Sequence, residues 1–335
     1  MNKKYTNNYL KGLLVMLTVV LGSCESTELE ILNDPNALNA DQSDIDFFMN
    51  SIQYDVSRLV QGNPLTPFGL SEAGMEITRI THMFGPDYRS AYGGTAFDPQ
   101  WQAVYSSALP DIRTMTPLAE EQGLYMHIGM AKVLEAYMMM TMVDFFGDVP
   151  YSEATQGVEF PNPNVDAGAD IYVALESLLN EAITEFGKTE TSKPTNDIYY
   201  GGDKSKWIKL ANTLNLKMYV QSRLVDSSVK AKIDALIAQG NIITSADEDF
   251  VFQYSATDSN PDSRHPEFSA NFDAGTGEYM STSYMYDLVK RKNIEDPRWR
   301  YYIYRQSSTN TTDVNEQSCI TQNRPIHYVP SDIWC

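Results

Sequence analysis

A mainly α-helical stack with long irregular loop excursions is the fold class this sequence predicts, on three observations. Apolar residues recur at spacings of three and four through most of the 335 residues. The edges of those stretches carry residues that start and stop helices, and alternation of strand length is scarce.

The first helix follows Ser43 or Asp44, either of which can cap it, and carries Ile45, Phe48, Ile52, Val56 and Leu59 on one face. Asp98-Pro99 marks a second start, an N-cap acceptor ahead of a first-turn proline, and Trp101, Tyr105, Ala108 and Ile112 continue that helix. Pro110 should kink or split it, because proline lacks the amide and clashes with the turn before it. From Leu124 to Phe145 one face holds Leu124, Ile128, Ala131, Leu134, Met138, Met142 and Phe145. The other holds Met130, Val133, Tyr137 and Met140. A helix apolar on both sides belongs among other helices.

Gly147 suits a left-handed cap and Pro150 blocks continuation. A loop rich in Pro, Asn and Gly then leads to a stripe of Tyr172, Leu175, Leu179, Ala182 and Phe186. Asp203 starts a helix reaching Arg223, with Trp207, Leu210, Leu214 and Met218 inward. Another spans Lys230 to Ala238 and closes at Gly240. Phe250 to Glu278 has no sustained period and reads as an irregular excursion. A last helix is expected from Thr282 to Lys292, ahead of an aromatic run near Trp299. No exact repeat of fixed period is present, so superhelical order does not follow from periodicity.

The N-terminus carries its own message. Lys3, Lys4 and Lys11 precede an apolar run from Leu13 to Leu21, then Gly22, Ser23 and Cys24. That run is half of the roughly 20 residues a membrane-crossing helix needs and ends in small residues, as export signals do. Leu21-Gly22-Ser23-Cys24 resembles the lipobox of bacterial lipoproteins, which implies acylation at Cys24 after removal of 1–23 as a signal peptide. A Cys that merely follows an ordinary cleavage site is the alternative. Removing 1–23 takes away three lysines and no acid, leaving 22 basic against 44 acidic residues. Such a chain repels nucleic acid. The expected mature protein, 24–335, is a water-soluble body held to a membrane by lipid, with no later segment of spanning length. Cys319 and Cys335 remain, too few to imply a disulfide framework.

Four stretches in order carry a family resemblance: Asn33-Asp34-Pro35-Asn36, VDFFGDVPYSEA from Val143 to Ala154, YYGGDKSKWIKLANTLNLKMYVQSR from Tyr199 to Arg223, and DPRW from Asp296 to Trp299. Together they resemble the SusD/RagB family of outer-membrane nutrient-binding lipoproteins of Bacteroidetes. The resemblance implies tetratricopeptide-like helix pairs, one face docked on a SusC-like TonB-dependent transporter, and another binding a nutrient, commonly a glycan. Read physically, these motifs are mostly helix stops and starts. Family members usually continue beyond this length, so the C-terminal part of the usual domain is expected to be lacking.

Chemistry-bearing motifs are few. No Walker loop, HExxH, CxxC or GxSxG occurs, and no cofactor or metal is expected. His82, His127, His265 and His327 are scattered. Asn162, Asn164 and Asp166 have the alternation of a calcium loop, but Ala167 and Val173 stand where Gly and Glu are required. Aromatics are more suggestive, since sugars present apolar faces ringed by hydroxyls and need flat rings beside polar groups. The stretch from Phe84 to Trp101 supplies Tyr88, Arg89, Tyr92, Asp98 and Trp101. Trp299 to Tyr304 offers a second cluster with Arg298 and Arg300. Tyr88, Tyr92, Trp101 and Trp299 are therefore the candidate ligand-binding residues, with burial in the core the competing account of each ring; Trp207 reads as core.

The expectation is a non-enzymatic surface lipoprotein that captures an oligosaccharide, or a peptide, and passes it to the transporter. An extracellular hydrolase on a helical scaffold and a helical adaptor for proteins or peptides are the alternatives.

Overall fold

The computed structural model describes residues 44–61, 69–82, 92–259 and 262–266, with Tyr284 and the backbone of 305–307 and 316–318. Cys24, Tyr88, Trp299, Cys319 and Cys335 lie outside the described residues. So does the expected helix from Thr282 to Lys292, apart from helical Tyr284.

Helix α1 (Ile45–Gln61) starts where Asp44 Oδ1 accepts the Asp46 amide at 3.0 Å, and it buries Ile45, Met49, Ile52, Val56 and Leu59. Phe48 packs against that core from a partly buried position. The shorter α2 (Leu70–Ile77) enters through Gly69, where a Cβ would lie 2.1 Å from the Val60 carbonyl oxygen; only glycine fits.

The segment beginning at Asp98 departs from the sequence reading twice. Asp98 is the first residue of α3 (Asp98–Trp101) rather than its cap. Phe97 already accepts the amides of Gln100 and Trp101 (3.0 and 3.1 Å), so the helix starts one residue earlier than Asp98 capping would require, and the carboxylate makes no cap bond. Pro110 neither stops nor splits the path. The helix widens instead into a seven-residue π segment, Gln102–Ala108, and resumes as α4 (Leu109–Gln122). Leu109 donates five residues back to Val104, a register that suits the proline that follows, which has no amide and crowds the carbonyl four residues before it.

Helix α5 (Tyr125–Phe146) is buried all round, as its pattern predicts, with six methionines among its buried residues. Flexible thioethers fill the irregular gaps between several helix neighbours. Phe145, expected on the buried face, is 38% exposed: the last turn runs out of the core and its ring lies over Gly74 of α2. Gly147 ends the helix at φ 78°, ψ −120°, outside the left-handed helical region expected of it and still in territory open mainly to glycine.

Next come α6 (Gly168–Phe186), α7 (Lys204–Ser222) and α8 (Val229–Gln239). Asp203 caps α7, accepting the Ser205 and Lys206 amides, and Gly240 supplies a left-handed stop to α8 at φ 68°. Successive helices pack as neighbours, α4 on α5, α5 on α6, α6 on α7 and α7 on α8, in tetratricopeptide-like pairs; α5 also meets α1 and α7. Trp207 of α7 is fully buried against Tyr199, Tyr200 and Phe250, and its Nε1 donates to Asp197 at 2.7 Å. Residues 250–259 carry no regular structure, as expected. Two three-residue strands, β1 (Arg305–Ser307) and β2 (Glu316–Ser318), pair in parallel. Among the described residues no helix is long and apolar enough to cross a membrane.

Candidate functional site

The segment from Asp98 to Ser106 forms one wall of an open groove of about 570 Å³, and the loop after α5, from Pro150 to Pro163, forms the other. Trp101 and Tyr105 stack on the helical wall with centroids 5.1 Å apart and planes 20° apart. Phe146 backs Trp101 at 5.3 Å from within. The Tyr105 hydroxyl donates to the Pro150 carbonyl at 2.8 Å, tying the two walls together. Burial pushes this phenol well above its ordinary pKa, and the charge of Asp166 pushes it the same way.

The facing loop is held by its own carboxylates. Asp166 accepts the Tyr151 and Ser152 amides (2.7 and 2.9 Å) and the Ser152 hydroxyl (2.6 Å), beside an antiparallel bridge between Val149 and Asp166. Burial works against its charge, yet the Ser152 hydroxyl and the two amides prevail and hold Asp166 below the usual carboxylate range. Glu153 accepts the Asn164 amide and side chain at 2.8 and 2.9 Å. The Asn162–Asp166 stretch thus spends two of its three candidate calcium ligands on closing a loop.

Beneath the loop, buried Glu135 of α5 receives both Arg113 nitrogens (2.9 and 2.7 Å) and the Tyr151 hydroxyl (3.0 Å). Burial, reinforced by Glu135, keeps Tyr151 protonated far above the ordinary tyrosine range. At the loop's turn, Thr155 has φ 62° and Gly157 φ 63°. A β-branched residue in the left-handed region costs about 1–3 kcal/mol and persists only where its surroundings enforce it. Thr155 lines the groove together with Phe160, Pro161 and Pro163.

Of the four candidate ligand residues, Trp101 lines the groove, partly exposed. Tyr92 does not line it. Its ring stacks on Phe97 (5.2 Å, 30°), Phe97 meets Phe146 edge-on at 5.5 Å, and its hydroxyl donates to Glu76. Tyr92 and Trp101 are therefore two ends of one aromatic chain running through Phe97 and Phe146. Tyr105 and the loop residues escaped the sequence reading. The spacing of four between Trp101 and Tyr105 was the available signal for Tyr105, whereas nothing local indicates that 150–163 folds against it. His127 is buried against Asp46 (3.0 Å) and His265 packs edge-on to Tyr254, while His327 lies outside the described residues. Among the described residues no group of three His, Cys, Asp or Glu could hold a metal ion.

Stacked helix pairs of this kind define a class of tetratricopeptide-like helical proteins. A family model described as SusD-like, starch-binding and associating with the outer membrane matches residues 35–323, and the chain belongs to this family. A SusD/RagB family protein from Bacteroides thetaiotaomicron is similar in structure, with 23% identity and a TM-score of 0.61 over 73% of this chain and 52% of that one. A SusD homolog from Bacteroides fragilis has 19% identity and a TM-score of 0.53 over 70% and 48%. A chitin-binding protein has 20% identity and a TM-score of 0.52 over 78% and 54%. The chain spans about half the length of these solved structures. Comparison with the curated proteins finds no match.

Proposed function

We propose that this protein is a surface lipoprotein, anchored through Cys24 after loss of a signal peptide at 1–23, that binds a glycan reversibly and delivers it to a SusC-like TonB-dependent transporter. The stacked Trp101–Tyr105 pair in the open groove is the observation that carries the reading. Flat rings supply the surface against which the C–H face of a sugar packs, and Gln102, Ser106 and the Thr155 hydroxyl supply hydrogen-bonding groups at its edges. The family's starch-binding description and the chitin-binding neighbour support a glycan over a peptide.

Trp101→Ala is expected to weaken oligosaccharide binding by about 1–3 kcal/mol in calorimetric titration, the scale for losing an aromatic anchor. Because Trp101 also leans on Phe146, a denaturant midpoint is measured in parallel. Unchanged affinity in a folded variant would place the ligand elsewhere, and binding of peptides alone would replace the glycan. Hydrolysis of the oligosaccharide by the pure protein, abolished by one carboxylate substitution, would replace capture with catalysis.

A further inference from the structure

The groove is electrically one-sided among the described residues. Among the described residues that line it, Asp98 carries the one formal charge, and Lys, Arg and His are absent from them. Asp98 is exposed, and its carboxylate has no hydrogen-bond or ion-pair partner among the described residues, because Phe97 occupies the cap position of α3. The Tyr105 hydroxyl is already committed to the Pro150 carbonyl, so it does not offset that charge by donating to it. A second carboxylate, Asp166, is felt at the wall, where its charge opposes ionisation of Tyr105. The whole chain adds long-range repulsion of anions with its formal charge of −19.

An ionised carboxylate is acceptor-only and can receive two hydroxyls at once, which matches adjacent hydroxyls on an uncharged sugar. A uronate or sulfate at the same place brings a second negative charge and meets no described cation. Resting on the reading of the groove as a glycan site, we infer that it selects uncharged glycan segments and excludes uronate- or sulfate-bearing ones, with Asp98 the discriminating residue. One unit-charge repulsion close to Asp98 at a wet surface corresponds to about a five- to tenfold loss of affinity.

Maltohexaose, cellohexaose and chitohexaose, each paired with its counterpart oxidised at C6 to the uronate, provide probes of equal length that differ in charge. Calorimetric titration of the full chain is expected to show at least one neutral hexamer binding about tenfold more tightly than its uronate, a gap that narrows in high salt. Asp98→Asn is expected to narrow the gap to about twofold, by relieving the repulsion of the uronate and by weakening the neutral hexamer, which loses one of its two acceptor oxygens. Since Asp98 is exposed and caps nothing, that variant should keep the wild-type circular dichroism. Equal or tighter uronate binding by the wild type would overturn the inference, as would an unchanged gap in Asp98→Asn. Trp101→Ala separates the two claims. If it abolishes binding while Asp98→Asn leaves the gap intact, the groove stands and the charge selection falls. If it binds like the wild type, or if no hexamer binds the wild type, the glycan groove itself falls.

Discussion

An indole on a helix is fully packed or left open to water according to what covers it, and the contrast between Trp207 and Trp101 rests on that. Trp207 has no exposed surface, three aromatic neighbours and a hydrogen bond from Nε1 to Asp197. Trp207→Ala is expected to cost about 3–5 kcal/mol in urea unfolding, the range for deleting a large buried ring, and to leave the affinity of the remaining folded protein unchanged. Loss of binding without loss of stability would contradict the assignment to the core. The two settings were legible to different degrees. The stripe of Leu210, Leu214 and Met218 beside Trp207 points inward by period alone, whereas the stripe holding Trp101 and Tyr105 equally fits core or surface. What separates them is the chain that packs on each, and that chain is distant in sequence.

At the scale of elements, close approach and loop closure shape the groove's setting. Gly129 of α5 lets Phe186 of α6 dock, because a Cβ there would lie 2.6 Å from the ring. Gly129→Ala is therefore expected to destabilise the protein by about 1–3 kcal/mol through overpacking, visible as a lower denaturation midpoint. The loop facing Trp101 depends on Asp166. Its folded pKa is lowered, so its contribution is complete above the ordinary aspartate value of about 3.9 and fades as pH falls through the lower folded value. Asp166→Asn is expected to speed hydrogen exchange at Tyr151 and Ser152 at neutral pH and to remove the acid-induced step from that loop. An exchange profile matching the wild type would show that the loop closes without this carboxylate. Pro110 shows how far local chemistry reaches: its missing amide announces a disturbance, but a π segment rather than a break results because the widened turns stay packed against α1.

At the scale of the molecule, a stack of helices around α5 holds the groove on its side, and the chain belongs to the SusD-like family. The chain spans about half the length of the solved structures it resembles. Lipid anchoring is tested on the whole protein. Cys24→Ser is expected to abolish acyl labelling and release the protein from the membrane fraction, while persistent labelling would refute the anchor.

The identity and order of the longer helices came from the sequence alone, because a 3.6-residue period, Asp203 at a cap and Gly240 at a stop act within one or two turns; the eight-residue α2 went unread, being too short to show a period. The family, whose motifs are helix punctuation, also came from the sequence. The groove came only from tertiary structure. Its walls are Trp101 with Tyr105 and a loop some 50 residues later, joined by the Tyr105–Pro150 hydrogen bond and held by the pairing of Glu135 with Arg113 and Tyr151. Tyr105 and Pro150, and Glu135 with Arg113 and Tyr151, are each too far apart in sequence to meet within one helix, so no periodicity encodes their meeting. Asp98 makes the same point in one residue: next to Pro99 it reads as a cap, yet a turn closed one residue earlier by Phe97 leaves its carboxylate free to face the groove.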